Sequence, residues 1–200
     1  MVRKLTSEER LSAFLEELYR ATSEPNGWRM LATPLARLFD AESSLIIAQS
    51  GLSGAPELSH TANFSSAHQQ AYSEHYYIQD PWRTLVLDAG VGNPVIGRDA
   101  IPDEVFINSE IYVDWLRPID VFQFLGCYQQ GANRTALVGI HRARSMKDFD
   151  RRDKARLRLV AAHYAQALAI ADRLEAITSS QRVTFAALDM LDSEIGRAHV

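Results

Sequence analysis

Histidine, tyrosine, aspartate and tryptophan crowd one stretch of this chain at spacings suited to a binding pocket. His68, Ala71, Tyr72, His75 and Tyr76 recur at i, i+3, i+4, i+7 and i+8, which puts imidazoles and phenols on one face of a helix opened by Ser65-Ser66. Such side chains have apolar bodies and polar tips, so the face can pack on a core and still offer hydrogen bonds to a bound molecule. The stripe runs into Tyr76-Tyr77-Ile78-Gln79-Asp80-Pro81-Trp82, and a second aromatic segment, Ser109-Glu110-Ile111-Tyr112-Val113-Asp114-Trp115-Leu116-Arg117-Pro118, follows. Each ends a helical stretch at an Xaa-Pro step, where the residue before proline is pushed out of the α region, so both place bulky rings at the mouth of a turn. His68, Tyr72, Tyr76, Asp80, Trp82 and Trp115 are therefore expected to converge on one cavity, the rings giving apolar area and Asp80 a directional acceptor. The alternative is that the polar tips only satisfy one another or the backbone.

Catalytic and metal chemistry find little support. A Cys127/His141 nucleophile pair needs hydrogen-bond reach. In a hairpin turning at Gly131 to Asn133, His141 falls opposite Phe122 or Gln123, about 15 Å from Cys127 at ~3.3 Å per residue. His68 and His75 lie two turns apart, about 10 Å along a helix, too far to share a tetrahedral ion without other ligands. No glycine-rich phosphate cradle follows a strand, and there is no nucleophile elbow. Asp148/Asp150 and Asp103/Glu104 read as helix-start and loop acids. No catalytic residue, metal ligand or cofactor is expected.

The elements that must position the aromatic residues belong to an ordinary globular chain. Two hundred residues, 46% hydrophobic and 23% charged, suit one soluble domain with a full core. Met1-Val2-Arg3-Lys4 leads into the polar Thr6-Ser7-Glu8-Glu9 rather than an apolar run, so neither a signal peptide nor a membrane segment is expected. A single cysteine, Cys127, excludes an internal disulfide and fits a reducing cytoplasm. The net charge of −4 argues against this piece gripping nucleic acid by itself, since phosphate neutralisation needs clustered Lys and Arg.

Along the chain the order is mixed. Thr6 and Glu9 form a capping box for a helix with apolar face Leu11, Phe14, Leu15 and Leu18, broken at Ser23-Glu24-Pro25-Asn26-Gly27. A second helix carries Trp28, Leu31, Leu35 and Leu38, with Pro34 kinking it or restarting it behind Thr33. Ser43 to Gln49 reads as a strand, Gly51 to Pro56 as a turn, and Glu57 to Phe64 as a second strand. Trp82 to Leu87 reads as a short helical piece and Pro94 to Gly97 as a brief strand. Val121 to Gln129 and Arg134 to Arg142 read as a hairpin. The fold expected is α+β: an antiparallel sheet of about five strands, with the N-terminal and C-terminal helices on one side and the aromatic helix on the other.

A closing helix is expected from about Asp148 to past Ile177, its N-terminus suited to the acids Asp148 and Asp150. Leu157, Val160, Tyr164, Ala167, Ala171 and Leu174 alternate three- and four-residue steps, close to a coiled-coil seam. The seam reads either as a homodimer interface passing a signal onward or as a face packed on the chain's own sheet. Thr178-Ser179-Ser180-Gln181 reads as a weakening before Phe185, Leu188 and Leu191.

Taken in order, the Trp28-Xaa-Xaa-Leu31 helix ending in Phe39-Asp40-Ala41, the Tyr72…Tyr76…Asp80-Pro81-Trp82 segment, Ser109 to Pro118, the Thr135 to Arg142 strand and the long Arg- and Ala-rich helix resemble the N-terminal sensor region of LuxR-type helix-turn-helix transcriptional regulators, over about residues 8 to 190. The resemblance implies a GAF-like or PAS-like sensor domain for a small-molecule effector, with DNA bound by a C-terminal domain outside this sequence. The acyl-homoserine-lactone branch of that family carries a Trp and a Tyr before an Asp-Pro whose Asp accepts from the ligand amide. Asp80-Pro81 matches. Ala67 and Ala71 stand where the Trp and Tyr would fall, with His68 and Tyr72 one position later, so only Asp80 is carried over. The expected division is residues 1–177 as sensor, 178–193 as the start of a linker, and 194–200 as a non-native tail, because Glu194 to Val200 spells the translation of a common sequencing adapter. Two rivals remain: an enzyme on the same scaffold, acting through Cys127 or the His/Tyr face, and a dimerisation module whose pocket is filled by its own side chains.

Overall fold

A computed structural model describes residues 5–24, 27–50, 57–61 and 63–198, with side chains described for all of these except 50, 57, 58 and 183–198. The expected turn at Gly51 to Pro56 lies outside the described residues, as do His199 and Val200. The capping box closes as the sequence predicts: the Thr6 hydroxyl accepts from the Glu9 N–H while the Glu9 carboxylate accepts from the Thr6 N–H, opening α1 (Ser7–Ala21). This helix buries Phe14, Leu18 and Ala21, with Leu11 and Leu15 packed at the edge of the same core.

A 3-10 turn at Gly27–Met30 brings the chain back so closely that a Cβ on Gly27 would lie 2.6 Å from the Ala21 Cα. Next, α2 (Ala32–Leu38) starts behind Leu31, which makes no side-chain cap, rather than behind Thr33. Pro34 sits in the first turn, where its missing N–H has no intrahelical acceptor to lose.

Five strands follow in one antiparallel sheet of order β2-β1-β5-β4-β3: β1 (Ser43–Ser50), β2 (Glu57–His60), β3 (Val95–Ile96), β4 (Gln123–Gln130) and β5 (Arg134–Arg142). The second strand stops at His60, four residues short of the expected end, because the chain turns at Thr61 to Phe64. Strand alternation divides the sheet into two faces. Ile46, Leu125, Cys127, Ala136, Val138 and Ile140 join a core with α1, α2 and the last helix, in which Trp28 meets Tyr164 at 5.5 Å. Leu45, Ile47, Phe124 and Leu137 face a second, aromatic cluster.

That second layer comprises α3 (Ser66–Ala71), a π-helical turn at Tyr72–Tyr76, α4 (Tyr77–Gln79), α5 (Pro81–Ala89), α6 (Asp103–Phe106), and another π-helical turn at Ile111–Leu116. The chain leaves the α region at Asp80 (ψ 109°), as a residue before proline should. At Pro118 it does not: Arg117 stays helical and the segment runs on as a 3-10 turn to Ile119, ending at Asp120 in the left-handed region.

The last helix, α7 (Arg151–Ala198), begins three residues later than expected, capped by Asp150, whose carboxylate accepts from the Arg152 and Asp153 N–H groups. Leu157, Val160, Tyr164, Ala167 and Ala171 are all buried against the chain's own sheet and α1, which is the second of the two readings of that seam. Leu174 alone of the six is exposed. The helix passes through Thr178 to Gln181 unbroken, the Thr178 hydroxyl donating back to the Leu174 carbonyl as helical threonines do. The side chains of Phe185, Leu188 and Leu191 lie outside the described residues. Arg142 locks these parts together: its guanidinium donates to the Phe39, Lys147 and Asp148 carbonyls and the Asp153 carboxylate, and it packs over the Phe149 ring.

Candidate ligand-binding site

Between the sheet and the aromatic helices lies a cavity of about 40 Å³. Asp80 sits in its wall because it ends one helix and caps the next. One carboxylate oxygen accepts from the Trp82 N–H at 2.8 Å, the other from the Tyr72 hydroxyl at 2.8 Å. Burial raises the Asp80 pKa, an effect opposed by these hydrogen bonds and by the nearby Arg83 charge. Tyr72 is held well above the ordinary phenol range, first by burial and then by the carboxylate beside it.

Rings make the rest of the wall. Tyr72 stacks on Trp115 at 4.8 Å, and Trp82 lies between Phe106 and Phe124 at 4.7 Å from each, nearly parallel to Phe124. Phe124 in turn lies on bare backbone. Gly126 and Gly139 pair across β4 and β5, and a Cβ on the first would come within 2.2 Å of the Phe124 Cζ, on the second within 3.1 Å of its Cε2. Gly97 makes room likewise, its missing Cβ standing 2.8 Å from the Trp82 Nε1.

Of the six residues expected to converge, the cavity is lined by Tyr72, Asp80, Trp82 and Trp115 and not by His68 or Tyr76. For Tyr76 the cause is the π-helical turn that starts at Tyr72. From Tyr72 onward the backbone bonds i to i+5, the Tyr77 N–H reaching the Tyr72 carbonyl, so residues after Tyr72 rotate off the face that 3.6-residue periodicity assigns them. Tyr76 touches the Trp115 ring at 5.9 Å and stacks edge-on with His75, which is exposed and bonded to Glu110. His68 contributes its carbonyl, which accepts from the Trp115 indole, while its ring bonds the Ser65 hydroxyl.

Two polar lining residues carry no periodic mark. His141, which the sequence offers only as a partner for Cys127, lies opposite Phe124, one to two residues from the expected register, and faces the cavity. Cys127 is three residues further along β4, where alternation turns it to the opposite face, so no dyad forms. Burial pushes the thiol up to about 12 and the imidazole down to about 3, leaving both neutral. Arg83 is the other. Its guanidinium lies 4.2 Å over the Tyr77 ring and its buried Nε has no hydrogen-bond partner. Its position, three residues past Asp80 on the first turn of α5, was the available signal. Among the described residues no cluster of three or more His, Cys, Asp or Glu could hold a metal ion, and no helix is long and apolar enough to cross a membrane.

No protein-family model matches the sequence, and no curated protein matches it. The fold, however, is that of the ligand-binding domains of LuxR-type regulators. The VqsR ligand-binding domain from Pseudomonas aeruginosa superposes with a TM-score of 0.58 at 17% identity, over 83% of this chain and 96% of that one. CepR2 from Burkholderia cenocepacia, an N-acylhomoserine-lactone-dependent LuxR-family transcription factor, gives 0.56 at 13% identity, over 80% and 92%. SdiA in complex with octanoyl-rac-glycerol gives 0.52 at 11% identity, over 87% and 69%. These neighbours are regulator domains rather than enzymes.

Proposed function

We propose that this chain is the small-molecule sensor of a LuxR-type transcriptional regulator. The observation that carries the reading is a buried carboxylate, Asp80, set in the wall of an aromatic cavity in a domain with that fold. Residues 1–177 act as the sensor and 178–193 lead toward a helix-turn-helix domain that makes the DNA contacts in the cytoplasm. The fragment does not bind DNA itself, given its net charge of −4. Two copies pair along the outer side of α7, where Leu159, Ile170, Leu174 and Ile177 are exposed. Ligand binding shifts how these helices pair, which requires different affinity for the two arrangements.

The ligands named for CepR2 and SdiA carry or imply acyl groups. Here the enclosed space is far below the roughly 150 Å³ that holds one benzene, and Ala67 and Ala71 replace the ring-bearing residues of the lactone-binding pattern. A small ring needs less displacement of the lining side chains than a long acyl chain. The small volume also favours one second reading, a dimerisation module whose pocket its own rings fill. Thermal shift against a panel of N-octanoyl-homoserine lactone, octanoyl glycerol and single-ring phenols, acids and esters separates the two. A ligand at 100 times its Kd stabilises by about 2.7 kcal/mol. No shift with any of them, at concentrations up to millimolar, assigns the chain to the second reading.

A further inference from the structure

We infer that the cavity takes a small aromatic carboxylate, its ring against the stacked pairs Trp82–Phe124 and Tyr72–Trp115 and its carboxylate on Arg83. The inference rests on the sensor reading above and names the ligand class for that same site. Its ground is a guanidinium held in place without an acceptor. Arg83 faces the cavity, stacked on Tyr77 at 4.2 Å, and its Nε is buried and unbonded. Among the described residues no carboxylate lies within ion-pair distance of it, and no carbonyl accepts from its side chain. Asp80, whose carboxylate feels the Arg83 charge, is engaged elsewhere, with the Tyr72 hydroxyl on one oxygen and the Trp82 N–H on the other.

Arginine offers five N–H groups in a planar fork that matches a carboxylate's two oxygens, and a half-buried fork left empty forgoes charge-assisted bonds. Arg142, by contrast, meets three carbonyls and a carboxylate. The ring requirement comes from the walls. Trp82 lies 9° from parallel to Phe124 and 24° from His141, and Tyr72 lies 26° from Trp115, so the faces presented are flat and admit a ring more readily than a branched body. Entry of even one ring displaces a lining side chain, since about 40 Å³ is enclosed. Phe124 is the ring that can slide, because it lies between the flat Trp82 face and the side-chain-free backbone of Gly126 and Gly139.

The test compares benzoate with methyl benzoate by isothermal titration calorimetry on the 200-residue protein, with intrinsic tryptophan fluorescence as a second readout. A charge-assisted bidentate contact predicts that benzoate binds about 10- to 100-fold tighter than the ester. In Arg83→Gln that ratio falls to about 1, and in Arg83→Lys, which keeps the charge and loses the fork, it falls between the two. Far-UV circular dichroism confirms that both variants are folded. Equal affinity for acid and ester in the wild type, or an undiminished ratio in a folded Arg83→Gln, overturns the inference and leaves the sensor reading standing. If neither compound binds while another member of the panel does, the carboxylate class is wrong. If nothing in the panel binds, the sensor reading falls with it.

Discussion

Removing the Asp80 carboxylate should destabilise the protein in a way that its amide replacement does not. Asp80 has two structural duties: it caps α5 through the Trp82 N–H and it accepts from the buried Tyr72 hydroxyl. Asp80→Ala loses the cap, worth about 1 kcal/mol, and strands a buried hydroxyl, worth about 1–3 kcal/mol. Together these give about 2–4 kcal/mol, or a drop of roughly 4–16 °C in melting temperature at about 2–4 °C per kcal/mol for a chain of this size. Asp80→Asn keeps an acceptor for the Trp82 N–H, asparagine being as good a cap as aspartate. Its amide can donate to the Tyr72 oxygen, which then accepts instead of donating. The swap also lifts the cost of burying a charge, which is what raises the Asp80 pKa, so stability should stay within about 1 kcal/mol of the wild type. Thermal melts followed by far-UV circular dichroism, all three proteins in one buffer, decide the matter. Should the alanine and asparagine variants melt within about 2 °C of each other, the hydrogen bonds at Asp80 do not stabilise the fold as argued.

Three further outcomes follow from the same geometry. His141 is buried neutral with its pKa lowered to about 3, so its contribution is whole above the unfolded value near 6.5 and is lost as pH falls below that. Between pH 7 and pH 5 it should remove about 2 kcal/mol, seen in urea midpoints and absent from His141→Gln; an equal pH loss in both proteins would count against it. Gly126→Ala should cost about 1–3 kcal/mol, because its Cβ meets the Phe124 ring at 2.2 Å and the Val138 carbonyl oxygen at 2.7 Å; an unchanged denaturation midpoint would show that the floor is not as tight as drawn. Leu174→Glu with Ile177→Glu, at positions 41% and 56% exposed, should turn a dimer into a monomer by light scattering on a sizing column, and a persistent dimer would move the interface off this stripe.

How legible the molecule was depends on whether a signal is local. The α1 capping box is set by neighbours a few residues apart and is readable; the acids Asp148 and Asp150 mark the start of α7 to within three residues, and the β4–β5 hairpin is readable though its register is one to two residues from the expected one. The seam of α7 was readable as apolar but not as to its partner, since Leu157 to Ala171 would look the same against a second copy as against β4. The six-residue site was read with 3.6-residue periodicity, and the two π-helical turns break that period where the rings gather. Tyr72 stayed on the face, and Tyr76 left it. His141 and Arg83 carry no periodic mark at all: their place in the site comes from strand pairing and from a helix that restarts at Pro81. The glycine floor is legible only afterwards, because nothing in Gly126 or Gly139 alone says that a ring from position 124 will lie across them.

The two faces of the sheet differ in what they bury, and the difference bears on which of them does the work. Under α7 the contacts are mostly hydrocarbon, with Leu157, Val160, Ala161, Ala167 and Leu168 against Leu125, Val138 and Ile140; its buried charges are paired, Asp153 with Arg142 and Asp172 with Arg134, and Cys127 and the unpartnered Tyr164 hydroxyl are the remaining polar groups in that core. Such a face maximises apolar burial at little polar cost. The cavity face gathers Asp80, Tyr72, His141 and Arg83, four groups whose desolvation is unfavourable and which apolar residues of similar size could replace without loss of packing. Two strand glycines and a π-helical turn add local cost on that same side. A domain selected for stability alone would have no reason to concentrate these features around one cavity. Their position there, on the side of the sheet away from the long helix, is the arrangement expected of a site that must meet a polar ligand while the opposite face holds the fold together.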